Sequence, residues 1–484
     1  MTVKVRYAPS PTGPLHIGGA RTVLFNWLYA RQNQGVMLVR SEDTDLERSD
    51  VKWEKEIGEA LLWLGLSWDE GIIVGGERGP YRQTERLGSY QEYLAKLWLG
   101  GHVYYCFCTP EELEARRAES QQEQGGYNGR CRHLTPTEAQ VKLDAGLRPA
   151  IRFKVPVDRE VIFQDLIRGE VRVSTKDVSD FVIIKQDGIP TYNYAVVIDD
   201  ITMKVTHIIR ANEHLTNTPK QVLIYEALGE FMPEFAHVSL ILDETGRKMS
   251  KRMGDMSVAA YIRRGYLPEA VVNFLALLGW SPQEPKEIFT TEELIAQFSL
   301  DRVSKSPAIF DFQKLDWMNN QYIMQSELPR LVELAVPVLE GQGVAASGFD
   351  KEWLGLVISV VRDELNNLSE LGNFIAEFSA DEVSLEEDAR EHLAYQCTPA
   401  VLDEFVRRLE ALSSVDQESV SALLKQLNKD LKAQMGVSGK LVFMPVRVAL
   451  SGTTSGQELY HLVPLLGRER ALKRIKHIRQ LARV

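Results

Sequence analysis

RYAPSPTGPLHIGGA, residues Arg6 to Ala20, is the stretch that decides the fold of the N-terminal half of this chain. Upstream and into it, Val3–Ala8 alternates like a strand. The Pro- and Gly-rich middle reads as a turn, and Ala20–Gln34 reads as a helix. Val36–Val39 then supplies a second short apolar run. Strand, turn, helix and strand begin a βαβ unit with a parallel sheet. The turn therefore lies at the carboxyl edge of that sheet, where open α/β folds bind their ligands. Gly18 and Gly19 at the helix start carry no Cβ, so a nucleotide can approach the backbone. The helix N-terminus favours anionic groups, and His16 can donate a hydrogen bond to a phosphate oxygen. Taken alone, a His-X-Gly-Gly string is equally a tight turn with a surface histidine.

Beyond this unit, Ala150–Val155, Phe181–Lys185, Ala195–Ile198 and Val205–Ile209 read as further strands. From about Tyr261 onward helical periodicity takes over, as in Leu267–Leu278, Trp353–Leu371 and Pro399–Leu412. The expected architecture is an α/β body followed by an all-helical C-terminal half, with three or more domains in 484 residues. The chain starts almost directly in a strand, without a secretory signal, and holds no apolar run long enough to span a bilayer. Four cysteines in this length do not form a disulfide framework. A cytoplasmic location is the expectation. A net charge of −11 is only a weak objection to an RNA partner, because RNA needs a local basic surface. One candidate is the stretch from Arg468 to Arg483, with seven basic residues and one acid. Leu472, Ile475, Ile478 and Leu481 recur there at helical spacing, which predicts an amphipathic helix with a basic outer face. A solvated helix face is an equal reading.

A second basic stretch carries more chemistry. Arg247-Lys248-Met249-Ser250-Lys251-Arg252 lies between Gly246 and Gly254. When a carboxylate attacks the α-phosphorus of ATP, negative charge builds on the departing pyrophosphate, and ammonium groups can stabilise it. His-Ile-Gly-Gly near the start and Lys-Met-Ser-Lys downstream, joined by an α/β pattern, resemble the two signatures of class I aminoacyl-tRNA synthetases. Arg6–Gly19 is similar to the signature of the bacterial-type glutamyl-tRNA synthetases. Related stretches are Glu42–Asp45, Tyr81–Arg86, Pro190–Tyr192 and Ile209–His214. The resemblance runs over essentially the whole chain and is most specific from Arg6 to about Met318.

That resemblance implies a Rossmann-type parallel sheet with an inserted α+β acceptor-binding domain, followed by an all-α half. The catalytic domain would be 1–90 and 192–240, the insert 91–191, a stem-contact domain 241–322 and the helical anticodon-binding region 323–484. It implies ATP with Mg2+, L-glutamate and tRNA(Glu), with tRNA(Gln) as a second candidate acceptor, a monomer, and no membrane. It places His16, Lys248 and Lys251 at the chemistry and Gly18, Gly19 and Glu213 with them at ATP. It places Arg6, Ala8, Ser10, Glu42, Tyr192 and Arg210 at the glutamate. Chemistry supports the last set independently. Free glutamate is a dianion with one ammonium, so its pocket needs two cations, one anion and a few neutral donors. Arginine suits a carboxylate because its fork can bind both oxygens. Glutamine would leave one arginine facing an amide. Arg210 is the expected partner of the γ-carboxylate. Where some members carry an asparagine, this chain has Val196, so that contact is not expected.

Cys106-Phe107-Cys108 and Cys131-Arg132-His133, with 22 residues between them, offer three thiolates and an imidazole. That donor set fits a closed structural Zn2+ site, and some members of the family resemble it here. Ordinary reduced, buried cysteines are the alternative. The expected reaction is attack of glutamate's α-carboxylate on ATP, giving glutamyl-adenylate, then transfer to the terminal 2′-OH of the tRNA. Members of this type generally need tRNA before they activate glutamate. Three rivals are weighed. A shorter paralogue that glutamylates a modified base would lack the helical half. A glutaminyl enzyme would lack arginine at 210 and use β-barrels. A non-catalytic RNA-binding relative would have damaged nucleotide motifs.

Overall fold

The chain is described by a computed structural model covering residues 2–482, apart from 110, 115–126, 128, 250–254 and 346–347. Lys251 and Arg483 therefore lie outside the described residues. Lys4–Tyr7 (β1) and Val36–Val39 (β2) pair in parallel, Lys4 with Val36 through Tyr7 with Val39, and Glu70–Gly71 (β3) adds to β2. The connection is Ile17–Gln32 (α1), whose Val23, Leu24, Phe25 and Leu28 are fully buried or nearly so. Val51–Trp63 (α2) and Leu87–Leu99 (α3) follow.

The segment between α3 and residue 191 makes two sheets. Val103–Cys106 (β4), Ala150–Phe153 (β5) and Val182–Ile184 (β8) form an antiparallel one, order β4-β5-β8, with the helix Pro136–Asp144 (α4) beside it in sequence. Glu160–Asp165 (β6) and Gly169–Ser174 (β7) form a hairpin. That hairpin joins the strands His207–Ala211 (β9) and Glu234–Val238 (β10) in the order β7-β6-β10-β9. So part of the inserted segment is built into the sheet of the second parallel half. The base of β9 is tied to β1, because Thr206 N–H donates to Lys4 O and Lys4 N–H to Thr206 Oγ1, each at 2.8 Å. The carboxyl ends of β1, β9 and β10 consequently open on the same side.

Two readings of the sequence change here. Ala195–Ile198 is helical, within Tyr192–Thr202 (α5), and not a strand. All four side chains are buried, and a short run that is apolar on every side carries no period to separate helix from strand. The stretch Trp353–Leu371 is not one helix. Lys351–Val361 ends before Asn367, whose side chain caps the next turn by accepting the Ser369 N–H, while the Asn366 N–H donates to Glu370; Leu371–Ser379 then starts a new helix. Thr218–Leu228 (α6) completes the elements that hold the site.

The chain divides into two compact units. The first is 1–262 with 268–318, and the second is 263–267 with 319–484. All regular elements described in the second unit are helical. Its core includes Leu331, Val357, Leu371, Phe405, Leu427, Val446 and Ile478, all fully buried. The last helical stretch, Leu459–Ala482, breaks at Gly467, where φ is 69° and ψ is 169°. Its basic side is not a free face. Arg474 is completely buried and donates to the carbonyls of Glu377, Ala380 and Leu450, the ends of two other helices. Lys473 pairs with Asp381 at 2.9 Å and Arg479 with Asp403 at 2.7 Å. No described helix is long and apolar enough to cross a membrane.

Candidate active site

The ends of β1 and β9 bring Arg6 and Arg210 to one cavity of about 760 Å³. Four sequence-distant stretches supply its walls: the loop after β1, the strand end at Glu42, the α5–α6 region, and the hairpin at Lys248. Arg6, Ala8, Ser10, His16, Gly18, Gly19, Glu42, Tyr192, Arg210, Glu213 and Lys248 all line it. The expected residues are therefore brought together, with Lys251 outside the described residues and Val196 buried inside α5.

His16 is the N-cap of α1, and its Nδ1 accepts the Gly18 N–H at 3.3 Å. Burial lowers its pKa, with Lys248 adding to the effect and Asp255 opposing it. A neutral ring with Nδ1 accepting carries its proton on Nε2, so it is a donor toward the cavity. The two glycines do different things. A Cβ on Gly19 would stand 3.0 Å from the Tyr7 hydroxyl, so this position is small to seat α1 against β1. A Cβ on Gly18 would meet nothing closer than His16 Nδ1 at 3.7 Å, which leaves the backbone approachable.

The segment downstream of the second signature is joined to the first by backbone. Ile17 N–H donates to Met256 O at 3.0 Å, and Val258 N–H donates to Leu15 O at 2.9 Å. Upstream, Asp243 accepts the Arg247 N–H at 2.9 Å and closes a turn through Gly246, whose φ of +77° suits glycine. Lys248 leaves this turn and its Nζ reaches Glu213 at 2.8 Å. That bond, ahead of a smaller opposing burial effect, holds the Glu213 carboxyl below its ordinary range.

Arg6 and Glu42 are tied into a charge network that the sequence reading did not name. Arg40, wholly buried, contacts Asp200 at 2.8 Å, Glu42 at 3.3 Å and Asp199 at 3.4 Å. Arg6 Nε reaches Asp200 at 3.4 Å. Asp199 accepts further bonds from Gln83, Arg86 and Tyr90. Nearby, Asp43 takes the Thr84 N–H at 2.9 Å and its hydroxyl at 2.6 Å. This is why Glu42–Asp45 and Tyr81–Arg86 act together. Burial outweighs Arg40 and Arg6 at Glu42 and pushes its carboxyl up to about 7. The signal for the network was the doublet Asp199-Asp200 inside the apolar run AVVIDDI, since buried charges must be paired.

Tyr192 Oη lies 3.1 Å from His214 Nδ1. Burial, helped by Arg210 and Arg6, pushes His214 down to about 4, so the ring is neutral. Arg21 also lines the cavity, and it donates to Leu278 O and Ser239 O. In the inserted segment, Cys106, Cys108 and Cys131 are buried with their sulfurs all within 4.8 Å of one another. His133 does not join them. It is exposed, two residues beyond Cys131 on the tight turn Arg130–His133, which points the two side chains in different directions.

Residues 2–317 match the family described as "tRNA synthetases class I (E and Q), catalytic domain", and 330–479 match an "Anticodon binding domain". The chain is 52% identical over 481 residues to the glutamate–tRNA ligase of Carboxydothermus hydrogenoformans, covering 98% of this chain and 99% of that one. It is 52% identical over 480 residues to that of Desulfitobacterium hafniense, covering 98% of each. A crystal structure of the glutamate tRNA ligase from Elizabethkingia meningosepticum, in complex with its amino acid, matches with a TM-score of 0.88 at 34% identity over 100% of both chains. With both signatures of the sequence meeting at one cavity and this kinship running from end to end, the chain belongs to the class I tRNA synthetases of the E and Q type.

Proposed function

We propose that this enzyme joins L-glutamate to tRNA(Glu) at the expense of ATP. The observation that carries this reading is the pairing of two buried arginines, Arg6 and Arg210, with Glu42 on one cavity. That set complements a dianion bearing one ammonium. Arg210 Nη1 is buried with no partner among the described residues, and a γ-carboxylate would satisfy it. Glutamine would place an amide there and lose the charge.

The reaction follows from this seating. Arg6, Glu42 and Tyr192 hold the amino-acid end so that the α-carboxylate oxygen faces the α-phosphorus. As that oxygen bonds to phosphorus, the bond to the bridging oxygen breaks and pyrophosphate leaves. His16 donates from Nε2 to the phosphate chain, and Lys248 and Lys251 neutralise the leaving charge. Lys248 must then exchange Glu213 for phosphate. The terminal 2′-OH of the tRNA next attacks the activated carbonyl, and AMP departs. No protein nucleophile is needed, because positioning and charge stabilisation suffice. Magnesium, arriving with the triphosphate, would supply charge neutralisation there.

The three thiols are close enough, and polar enough in donor chemistry, to hold a structural Zn2+ in the inserted segment. The fourth ligand then comes from somewhere other than the present direction of His133. We assign the segment 91–191 to the acceptor end and the helical region to the anticodon, in a monomer working in the cytoplasm. The decisive experiment charges purified tRNA(Glu) and tRNA(Gln) with labelled glutamate and glutamine, and runs ATP–pyrophosphate exchange with and without tRNA. Glutamylation of tRNA(Glu) is expected, and exchange is expected only with tRNA present. Failure to charge either tRNA with glutamate would refute the proposal.

A further inference from the structure

Three polar residues stand in a row across three adjacent strands. Arg210 on β9 is the direct register partner of His237 on β10, and β10 meets β6 at Phe235 and Asp165. Directly paired residues of parallel strands present their side chains to the same face. Asp165 and His237 are both buried, in the core of the parallel half, and neither lines the cavity itself. Asp165 Oδ2 lies 2.6 Å from His237 Nδ1, while Oδ1 accepts the N–H groups of Ile167 at 2.9 Å and Arg168 at 2.8 Å. A carboxylate so placed is an acceptor, so the ring proton sits on Nδ1 and Nε2 is left with a lone pair. That lone pair faces the Arg210 Nε–H at 3.1 Å and the Thr218 hydroxyl at 3.0 Å; with the Thr218 proton given to His214 O at 3.2 Å, the lone pair takes the Arg210 proton. Arg210 Nη2 donates to Thr218 Oγ1 at 2.7 Å. Two of the three guanidinium nitrogens are thereby fixed, which sets the plane of the group and leaves Nη1 to be filled.

We infer that His237 and Asp165 are positioning residues that aim Arg210 at the γ-carboxylate, so that the β6–β7 hairpin takes part in choosing the amino acid. This rests on the reading of Arg210 given above. Two further observations agree. Burial, then the Arg210 charge, outweigh Asp165 and keep the His237 pKa below its ordinary value. At Asp165 the bond from His237 and those from the backbone outweigh burial and hold the carboxyl ionised. A protonated imidazole would set N–H against N–H at Arg210 and turn the fork away.

The test is aminoacylation of tRNA(Glu) by the full-length enzyme and four variants. H237N keeps a donor for Asp165 but lacks the acceptor for Arg210. H237Q restores an acceptor oxygen near the position of Nε2. D165N keeps its carbonyl on the Ile167 and Arg168 N–H groups and turns an amide N–H toward Nδ1, forcing the ring proton onto Nε2, while it gives up the His237 N–H that Oδ2 accepts at 3.1 Å. R210K tests the underlying reading. H237N and D165N are expected to raise KM for glutamate by about tenfold, with KM for ATP unchanged within about twofold. The preference for glutamate over glutamine falls by a similar factor, and H237Q regains much of it. Imidazole nitrogen spectra should show the Nε2 signal of His237 change to the N–H type in D165N. If R210K leaves KM for glutamate unchanged, the reading of the pocket fails. If R210K raises it while H237N and D165N do not, or if these two shift both KM values alike and H237Q rescues nothing, the pair only holds strands together and the inference falls.

Discussion

Replacing Glu42 with glutamine should stabilise the enzyme at alkaline pH while damaging it as a catalyst. Glu42 is 7% exposed, and burial pushes its carboxyl from an ordinary 4.5 up to about 7. Folding therefore makes this group hold its proton more tightly, by about 3 kcal/mol. Below pH 4.5 the group is protonated in both folded and unfolded chains and adds no penalty. As pH rises from there through 7, the unfolded chain releases the proton first, and about 3 kcal/mol of stability is lost. Glutamine keeps the shape, never ionises, and still offers an oxygen to Arg40, which retains Asp199 and Asp200 as counter-charges. The variant should thus match the wild type near pH 4.5 and exceed it by about 3 kcal/mol at pH 8. Urea unfolding of both proteins without substrates, at several pH values across that range, reads the difference directly, since all other titrating groups cancel. A stability difference that does not change with pH would refute the account of Glu42. The same variant loses the anion that faces the substrate ammonium, so its KM for glutamate should rise by about tenfold or more.

Other outcomes are as definite. Lys251→Ala should slow adenylate formation far more than it weakens glutamate binding, and Lys248→Ala should do the same; pre-steady-state rates near wild type would contradict the leaving-charge role. Metal analysis of purified protein should find about one zinc per chain, bound through the three cysteines. Chelation or Cys131→Ala should lower the unfolding temperature, and a metal-free protein with the same melting curve would exclude the site. Arg474→Met should destabilise the helical unit by about 3–5 kcal/mol, because it strands buried carbonyls at the ends of two helices. A loss below about 1 kcal/mol in urea unfolding would show that those carbonyls find other donors.

The parts of the fold that could be read ahead were those with period or punctuation. Strand, glycine-rich turn and helix at Val3–Gln34 are local patterns, and the structure has them in that order, with the helix at Ile17–Gln32 where the periodicity gave Ala20–Gln34. Ala195–Ile198 could not be read, because burial on all sides erases periodicity. The residues that line the cavity were legible from their chemical type and motif. Those that support them were not. Asp165 and His237 lie 72 positions apart and meet only because β6 enters the parallel sheet next to β10. Arg40 gives no sign, in a sequence, of meeting carboxylates 159 and 160 positions downstream. The basic C-terminal stretch was legible as an amphipathic helix, but a charge count does not tell which cation turns inward, and Arg474 spends its charge inside.

The backbone bonds from Ile17 to Met256 and from Leu15 to Val258 give the first turn of α1 a second master. Any excursion that carries Met256 away must break the bond to Ile17, at about 1 kcal/mol, and loosen the residue that follows His16. Departure of Met256–Val258 and loosening of the first turn of α1 then become one event. The turn that His16 caps therefore keeps its shape for as long as Met256–Val258 stays docked against it.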